Sequence, residues 1–333
     1  MTPPPPHLLK QALHHLNLAR SMLDQAGLGA SDQGPATLTG MSPAALLEEC
    51  RSLLADSPVC PAPMVRSLHH MACSGGTLIA RMLGAQANVR LLSEINPFST
   101  QLDKRQLFRP SDVSFLARHG TRPVDQATLL ALFEAEIRVL ATRSHQTGHI
   151  LLLRDHAHSA YCLRTGPQKE PRLHDILKAR FPVRALVTTR HPLDCYLGLQ
   201  ANNWLHFKPA TLEEYARRVR MFLHDHRDLA VLRYEDILTD PPAQISRACE
   251  VLGLPFDPAA LAPNMSVTLS GDSGRRSEQV GVRPRRPVSG ALRRMVARSP
   301  SYIKLCGQLG YAPASDRPPV AGPLPASADR SDW

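Results

Sequence analysis

The segment Cys73-Ser74-Gly75-Gly76-Thr77 is the first place in the chain where residue types and spacing suggest chemistry. It follows an apolar run and precedes a helical pattern. Paired glycines let backbone N–H groups approach a ligand closely, and the start of a helix favours negative charge. These features predict an anion-binding loop, with an ordinary strand-to-helix turn as the alternative. No lysine precedes Thr77, so the Walker pattern GxxxxGK[ST] of nucleoside triphosphatases is absent.

Charged and polar groups also follow four other apolar runs. They are Glu94, Arg154-Asp155-His156, Arg190-His191-Pro192 and Tyr234-Glu235-Asp236. A histidine beside a carboxylate is a common general-base arrangement, so Asp155 and His156 are candidates for proton transfer. The alternative is a hydrogen-bonded cluster that only fixes the end of a strand. A metal site would need a third ligand beside His156 and His158, and the spacing suggests none.

These groups need structural elements that bring them together. Short apolar runs predict five strands, at Met64–His70, Val89–Ser93, His149–Arg154, Val183–Thr189 and Leu229–Arg233. Helical patterns follow at Thr77–Ala85, Val124–Ser144, Leu173–Phe181, Pro192–Trp204, Leu212–Asp228 and Pro242–Leu252, with two short helices up to Gln308. Strands separated by helices predict a central parallel sheet in a three-layer α/β/α domain. Ligands of such sheets bind beyond the carboxyl ends of the strands, where all five polar segments lie.

The chain divides into three predicted regions. Residues 1–60 carry helical spacing around a Gly/Ser/Pro linker and predict a helical extension that covers the main domain. Residues 61–311 form the α/β domain, and residues 312–333, with five prolines, predict a disordered tail. Within the first strand, alternation predicts that one of His69 and His70 faces the core and the other faces outward.

Composition and charge indicate which ligands the protein could bind. The chain has 39 Lys+Arg against 29 Asp+Glu, a net charge of +10, and arginine supplies most of the positive charge. Arginine suits bidentate contact with phosphate or sulfate, although solubility alone also explains such a balance. Residues 275–298 hold eight arginines and one acidic residue, which predicts a basic loop over an anion, a solvated loop or a nucleic-acid patch. Aromatic residues make up 5% of the chain and none interleave this run, so we expect no nucleic-acid partner.

The spacing of the cysteines and the length of the apolar runs indicate the cellular compartment of the protein. The seven cysteines are scattered, odd in number and without a CxxC pair, which favours a reducing cytoplasm over a disulfide framework or structural zinc site. The start MTPPPP lacks a signal-peptide pattern, and no apolar run approaches the ~20 residues of a membrane helix. We therefore expect a cytoplasmic protein with no membrane partner, and the oligomeric state stays open.

Three segments resemble, in the same order, motifs of sulfotransferases that use 3′-phosphoadenylyl sulfate (PAPS). LHHMACSGGTLIAR at Leu68–Arg81 resembles the 5′-phosphosulfate loop, and RHPLD at 190–194 resembles the 3′-phosphate motif. LRYEDILTDPPAQISRACEVLGLP at Leu232–Pro255 resembles the stretch that follows in this family. The resemblance covers residues 64–290 and is stronger to bacterial sulfotransferase-like proteins than to the tyrosylprotein enzymes. It implies a P-loop-like nucleotide-binding architecture.

The resemblance implies a role for each matched residue. Ser74, Gly75, Gly76 and Thr77 would hold the 5′-phosphosulfate, with Cys73 in the same loop. Arg190 would bind the 3′-phosphate, Tyr234 would lie near the nucleotide, and Arg275 or Arg276 would close over the 3′-phosphate from the basic loop. Glu94 corresponds to the carboxylate that takes the acceptor proton in tyrosylprotein sulfotransferases, and we expect it at the end of the strand next to the phosphosulfate loop. Transfer from PAPS needs no metal in this family.

Two positions depart from the family pattern. Relatives usually carry arginine or lysine at the position of Cys73, where that cation stabilises the leaving 5′-phosphate, and serine at the position of Gly198. Stabilising developing charge is usually the largest catalytic contribution. We consider His69, His70 and Arg81 as substitutes for the missing cation, with a solvated side chain as the alternative for Arg81.

The sequence therefore predicts a PAPS-dependent sulfotransferase that acts on a hydroxyl or amine. The acceptor is a small molecule, a glycan or a peptide, and the variable stretches Pro97–Ser144 and Tyr161–Pro171 are where its contacts are expected. Two alternatives stay open: a phosphotransferase of P-loop type acting on a nucleoside or small molecule, and a catalytically weak PAPS-binding protein. The base is Glu94 in the main interpretation, and His156 backed by Asp155 in the competing one.

Overall fold

A computed structural model describes residues 63–99, 111–162, 170–261, 269, 285–313 and 324. The predicted helical extension at 1–60 and nearly all of the predicted tail at 312–333 lie outside the described residues. Arg275 and Arg276 also lie outside them, as do 100–110 and 163–169 of the two stretches expected to contact the acceptor.

Five parallel strands form the central sheet, at Val65–His70 (β1), Val89–Ile95 (β2), Ile150–Asp155 (β3), Val183–Thr189 (β4) and Ala230–Arg233 (β5). Their order across the sheet is β2-β3-β1-β4-β5, and every neighbouring pair is parallel. The predicted three-layer α/β/α class is confirmed, and each predicted strand differs from the observed one by at most two residues at either end.

Eleven helices surround the sheet in the described part of the chain. They are Gly76–Gly84 (α1), Val113–His119 (α2), Gln126–Gln146 (α3), Ala157–Tyr161 (α4), Leu173–Arg180 (α5), Pro192–Ala201 (α6), Leu212–Asp225 (α7), Tyr234–Thr239 (α8), Pro241–Leu252 (α9), Gly290–Ala297 (α10) and Pro300–Gln308 (α11). The sequence patterns predicted all of these except the short helices α2, α4 and α8. None of the described helices is both long and apolar enough to cross a membrane.

Alternation along the strands distributes side chains between two helical layers. Leu68, Leu152, Leu186 and Leu232 pack with α1 and α9 on one face of the sheet. The other face packs mainly against α3, α5, α6 and α7, through Leu151, Leu153, Val187 and Val231 among others. Because both faces are covered, a side chain on a central strand is buried whichever way it points.

This double cover corrects the prediction for His69 and His70. Neither ring faces outward: His69 is 0% exposed and His70 is 5% exposed. His70 lies on the α1 face and His69 on the opposite face. The same alternation separates two neighbours on β3, so that Arg154 shares a face with His70 and Asp155 shares a face with His69.

The strand order also corrects the expected position of Glu94. The sequence interpretation placed it just after β2, on the strand beside the glycine loop. The structure instead includes Glu94 within β2, at an irregularity between Leu92 and Ile95 in the pairing with β3. Strand β3 lies between β2 and β1, so the end of β3 separates Glu94 from the loop.

Candidate active site

The glycine loop joins β1 to α1 through two left-handed residues, Cys73 with φ 64° and Gly75 with φ 87°. The Ser74 hydroxyl donates to the Met71 carbonyl oxygen at 2.7 Å and closes the turn. Gly75 caps α1 without a side-chain hydrogen bond, and no acidic residue lies in the first helical turn. The helix therefore presents its first N–H groups to the loop with no local negative charge, which suits an anion.

Close packing requires both glycines, and at Gly75 the left-handed backbone conformation requires glycine as well. A Cβ atom on Gly75 would lie 2.2 Å from the Tyr234 ring, and one on Gly76 would lie 2.4 Å from the His70 ring. No L-side chain fits at these distances. Tyr234 thus packs against the loop, near the position expected for the nucleotide, and His70 supports the loop from β1.

Arg154, at the end of β3, is the residue that sequence reasoning missed as a site residue. Its guanidinium donates to Thr77 Oγ1 at 3.1 Å and to Ser93 Oγ at 2.8 Å. It also donates to His70 Nε2 at 2.7 Å and pairs with Glu94 Oε1 at 2.7 Å. Arg154 is 2% exposed, so a buried cation lies directly against the first turn of α1.

His70 does not supply that cation. The His70 Nδ1–H donates to the Met71 carbonyl, and its Nε2 accepts from Arg154, which defines a neutral ring. Burial and the neighbouring guanidinium hold the pKa of His70 well below its usual range. Arg81 is 9% exposed and is therefore not the solvated side chain that the sequence suggested as its alternative. The cation nearest to Thr77 among the described hydrogen bonds comes from β3.

Glu94 occupies an unusual backbone position, with φ 60° on a residue that is not glycine. Such conformations are uncommon and cluster at functional sites. Its carboxylate is 17% exposed, paired with Arg154 on one oxygen and 3.7 Å from His156 Nε2 on the other. Burial raises the pKa of Glu94 to about 7, against the lowering effect of Arg154. A carboxyl group with this pKa exchanges protons near neutral pH.

The expected pair of His156 and Asp155 is not formed by their side chains. Alternation sends Asp155 to the opposite face of the sheet, where Oδ2 lies 2.8 Å from His69 Nδ1. His156 comes after the strand has ended and lies beside Glu94 instead. Burial lowers the pKa of His156, so the ring is neutral where Glu94 titrates. The structure therefore brings Glu94, Arg154 and His156 together and separates Asp155 from them.

Arg190, at the end of β4, lies on the other side of the loop. Its NH1 donates to the Cys73 carbonyl at 3.4 Å, and its guanidinium carbon lies 4.8 Å from the centre of the Tyr234 ring. Arg190 Nε is buried with no hydrogen-bond partner among the described residues. The turn is held by Glu235, which accepts from the His191 N–H at 3.1 Å. Arg190 thus has a donor available beside the loop, as a phosphate-binding residue requires.

The two departures from the family pattern contact each other. A Cβ atom on Gly198 would lie 2.9 Å from the Cys73 Cβ, so a serine at 198 would overlap with Cys73. Burial raises the pKa of the Cys73 thiol, which therefore carries no charge. The same Cβ atom on Gly198 would lie 3.5 Å from Arg286 NH1. An arginine thus approaches the place where relatives carry the serine hydroxyl.

A buried ion pair holds the segment that carries Arg286. Arg285 donates to both oxygens of Asp194 at 3.0 Å, and the two side chains are 6% and 5% exposed. Asp194 belongs to the RHPLD motif on α6, so this pair ties the basic segment to the end of β4. The residues predicted for this role, Arg275 and Arg276, lie outside the described residues, whereas Arg286 belongs to the same arginine-rich run.

Comparisons with protein families and with solved structures both match this chain to sulfotransferases. A profile described as the sulfotransferase family matches residues 71–258, more than half of the chain. The sulfotransferase domain from the curacin biosynthetic pathway is 15% identical with a TM-score of 0.49, and the match covers 76% of this chain and 99% of that domain. The corresponding domain of the Synechococcus PCC 7002 olefin synthase is 19% identical with a TM-score of 0.45, covering 77% and 98%. A sulfotransferase from Alicyclobacillus acidocaldarius is 15% identical with a TM-score of 0.39, covering 74% and 94%. No curated protein sequence matches this chain significantly.

Proposed function

The chain belongs to the sulfotransferase family, and from that premise we propose that it transfers the sulfuryl group of PAPS to a hydroxyl or amine of an acceptor. The observation that carries the proposal is the position of Arg154. One guanidinium contacts both Thr77 in the glycine loop and the carboxylate of Glu94. A cation for the leaving group and a base for the incoming group are thereby joined at the loop that binds the donor.

The donor site is assigned from the loop and the two basic segments around it. Ser74, Gly75, Gly76 and Thr77 hold the 5′-phosphosulfate with backbone N–H groups and hydroxyls at the start of α1. Arg190 and Arg286 bind the 3′-phosphate by charge-assisted hydrogen bonds. Tyr234, already in contact with the loop and with Arg190, lies against the nucleotide.

The reaction is an in-line displacement at sulfur. The acceptor oxygen or nitrogen forms a bond to sulfur while the bond between sulfur and the 5′-phosphate oxygen breaks. The acceptor proton passes to Glu94, and the leaving adenosine 3′,5′-bisphosphate (PAP) takes the negative charge. Arg154 stabilises that charge from β3, since donors aimed at developing charge usually make the largest catalytic contribution.

Arg154 bears on the alternatives left open by the sequence. The uncharged Cys73 suggested a catalytically weak PAPS-binding protein, because relatives place a cation there. A buried guanidinium against Thr77 offers positive charge at the same loop from another strand. We therefore favour an active transferase over a binding protein. The phosphotransferase alternative gains no support, since no lysine precedes Thr77 and the family match is to sulfotransferases.

The acceptor is proposed only as a class: a small molecule, a glycan or a peptide that presents a hydroxyl or amine. The test is release of PAP from PAPS in the presence of a panel of phenols, sugars and peptides. We expect PAP release that depends on one acceptor class and that falls by at least about a hundredfold in Glu94→Gln. His156→Gln is the matched control, because it alters the neighbouring group without removing the carboxylate. Loss of activity in His156→Gln with retention in Glu94→Gln would move the base to His156.

A further inference from the structure

A second polar cluster lies on the face of the sheet opposite Arg154. It consists of His69 on β1, Asp155 on β3 and His226 just after α7. One ligand atom from each of the three lies within 4.8 Å of the other two. The side chains are buried, with residue exposures of 0%, 4% and 2%. Nothing in the proposed sulfuryl transfer uses these three residues.

The hydrogen bonds of His226 leave a nitrogen lone pair for the cluster. His226 Nδ1 donates to the Phe222 carbonyl at 2.8 Å, so Nε2 is the lone-pair nitrogen, and Nε2 has no hydrogen-bond partner among the described residues. His69 Nδ1 and Asp155 Oδ2 form a hydrogen bond at 2.8 Å, which a metal ion between them would replace. His69 Nε2 lies 2.9 Å from Ser67 Oγ, an oxygen to which it could then donate. Metal-binding histidines have this pattern, in which the ring N–H that does not face the metal donates to an oxygen.

Charge in the cluster favours a cation. The cluster holds the Asp155 carboxyl group between two imidazole rings. An ionised carboxylate buried there is costly without a compensating charge. Arg154, the neighbouring cation in the chain, pairs with Glu94 on the other face of the sheet.

A cavity open to solvent lies beside the cluster, with His226 in its wall. It has a volume of about 250 Å³ and is also lined by His174, by three carboxylates and by three cationic side chains: Asp175, Asp225, Asp228, Arg172, Lys178 and Arg227. The His174 ring centre is 5.6 Å from that of His69 and 6.1 Å from that of His226. His174 Nδ1 is buried and has no hydrogen-bond partner among the described residues. A cation entering here would meet His174 beside the three inner ligands.

We propose that His69, Asp155 and His226 bind a divalent transition-metal ion, with His174 as the fourth ligand from the cavity side. Imidazole nitrogens with one carboxylate oxygen suit Zn²⁺, which favours four ligands in tetrahedral geometry. The ion would join the ends of β1 and β3 to the segment after α7. Its role is structural, because it lies on the opposite face of the sheet from Glu94 and Thr77.

The test uses untagged full-length protein, because a histidine tag would bind metal itself. The protein is stripped with EDTA, incubated with Zn²⁺, desalted and analysed for zinc by mass spectrometry. We expect about one zinc per chain in the parent and in His224→Ala, which removes an exposed histidine from α7. We expect none in His226→Ala or Asp155→Asn. Ser67→Ala, which removes only the outer hydrogen bond, should weaken zinc binding by about 10–100-fold.

Thermal unfolding gives a second readout that does not depend on a variant that folds poorly. Zn²⁺ should raise the Tm of the stripped parent and of His224→Ala, since an ion that binds only the folded state stabilises it. The proposal would be overturned if the stripped parent retained no zinc after incubation with Zn²⁺ and desalting. It would also be overturned if His226→Ala and His224→Ala retained equal amounts of zinc. Circular dichroism of His226→Ala shows whether loss of zinc reflects a lost ligand, and if that variant is unfolded, His226→Gln replaces it.

Discussion

Replacement of Arg154 by methionine tests how the loop, the base and the buried cation depend on one another. The guanidinium makes hydrogen bonds or ion pairs with His70, Ser93, Thr77 and Glu94, all at 3.1 Å or less. Methionine has a similar length and no charge. The change therefore leaves the Glu94 carboxylate, 17% exposed, without its cationic partner.

The expected cost in stability follows from that unpaired carboxylate. Removing one partner of a buried ion pair costs about 3–5 kcal/mol, because the remaining charge stays desolvated. Glu94 can lower this cost by taking up a proton, since its pKa is already raised to about 7. A carboxyl group with a folded pKa above its unfolded pKa makes stability fall as pH rises between the two values. The destabilisation by Arg154→Met should therefore be larger at pH 8 than at pH 6.

Catalysis should fall more than donor binding. Loss of a donor aimed at developing charge costs about 10²–10³ in turnover. PAPS does not yet carry the charge that develops on the leaving phosphate, so its affinity should change less than turnover does. The assays are chemical denaturation at both pH values and PAP release from PAPS under saturating donor.

Two controls separate charge from packing at this position. Arg154→Met combined with Glu94→Gln removes the unpaired carboxylate, so it should recover part of the lost stability without recovering turnover. Arg154→Lys keeps the charge but cannot match the planar contacts of arginine, so intermediate turnover is expected. An Arg154→Met variant with parental stability and turnover within threefold of the parent would refute the reasoning.

Three further predictions concern other parts of the site. The rate should fall as pH drops below about 7, because Glu94 must be ionised to accept a proton and burial raises its pKa to about 7. A pH–rate profile that falls only near pH 4.3, the ordinary pKa of glutamate, would contradict this. Arg190→Ala should weaken PAP binding by about tenfold to a hundredfold in calorimetry, since a hydrogen bond to a charged group contributes roughly 1.5–3 kcal/mol; unchanged affinity would mean that Arg190 only ends a strand. Gly198→Ser should lower both the Tm and PAP affinity, because its Cβ would lie 2.9 Å from the Cys73 Cβ. Combining Gly198→Ser with Cys73→Gly should restore the Tm if that overlap is the cause.

Much of the fold follows from local patterns in the sequence. Apolar runs such as Val183–Thr189 coincide with the observed strands because buried parallel strands need near-continuous apolar residues. The order of the strands does not follow from those runs, since all five are similar in length and composition. The position of β3 between β1 and β2 depends on long-range packing, and it determines what lies between Glu94 and the loop.

Candidate site residues could be proposed from the sequence where they belong to contiguous motifs. The loop from Cys73 to Thr77 and the end of β4 at Arg190 were singled out because spacing and residue type coincide there. Arg154 was missed because its partners come from three other segments of the chain. One signal was available in the sequence. Side chains alternate along β3, so Arg154 and Asp155 must point to opposite faces of the sheet and cannot belong to the same site.

The measurement that tests the central claim most directly is thermal unfolding with PAP beside ATP and GTP at equal concentrations. A ligand at about 100 times its dissociation constant stabilises the folded protein by about 2.7 kcal/mol. We predict that PAP raises the Tm of the parent and does so much less in Arg190→Ala, and that ATP and GTP, which lack a 3′-phosphate, have little effect. No shift with PAP, or an equal shift with ATP, would contradict a PAPS-dependent sulfotransferase.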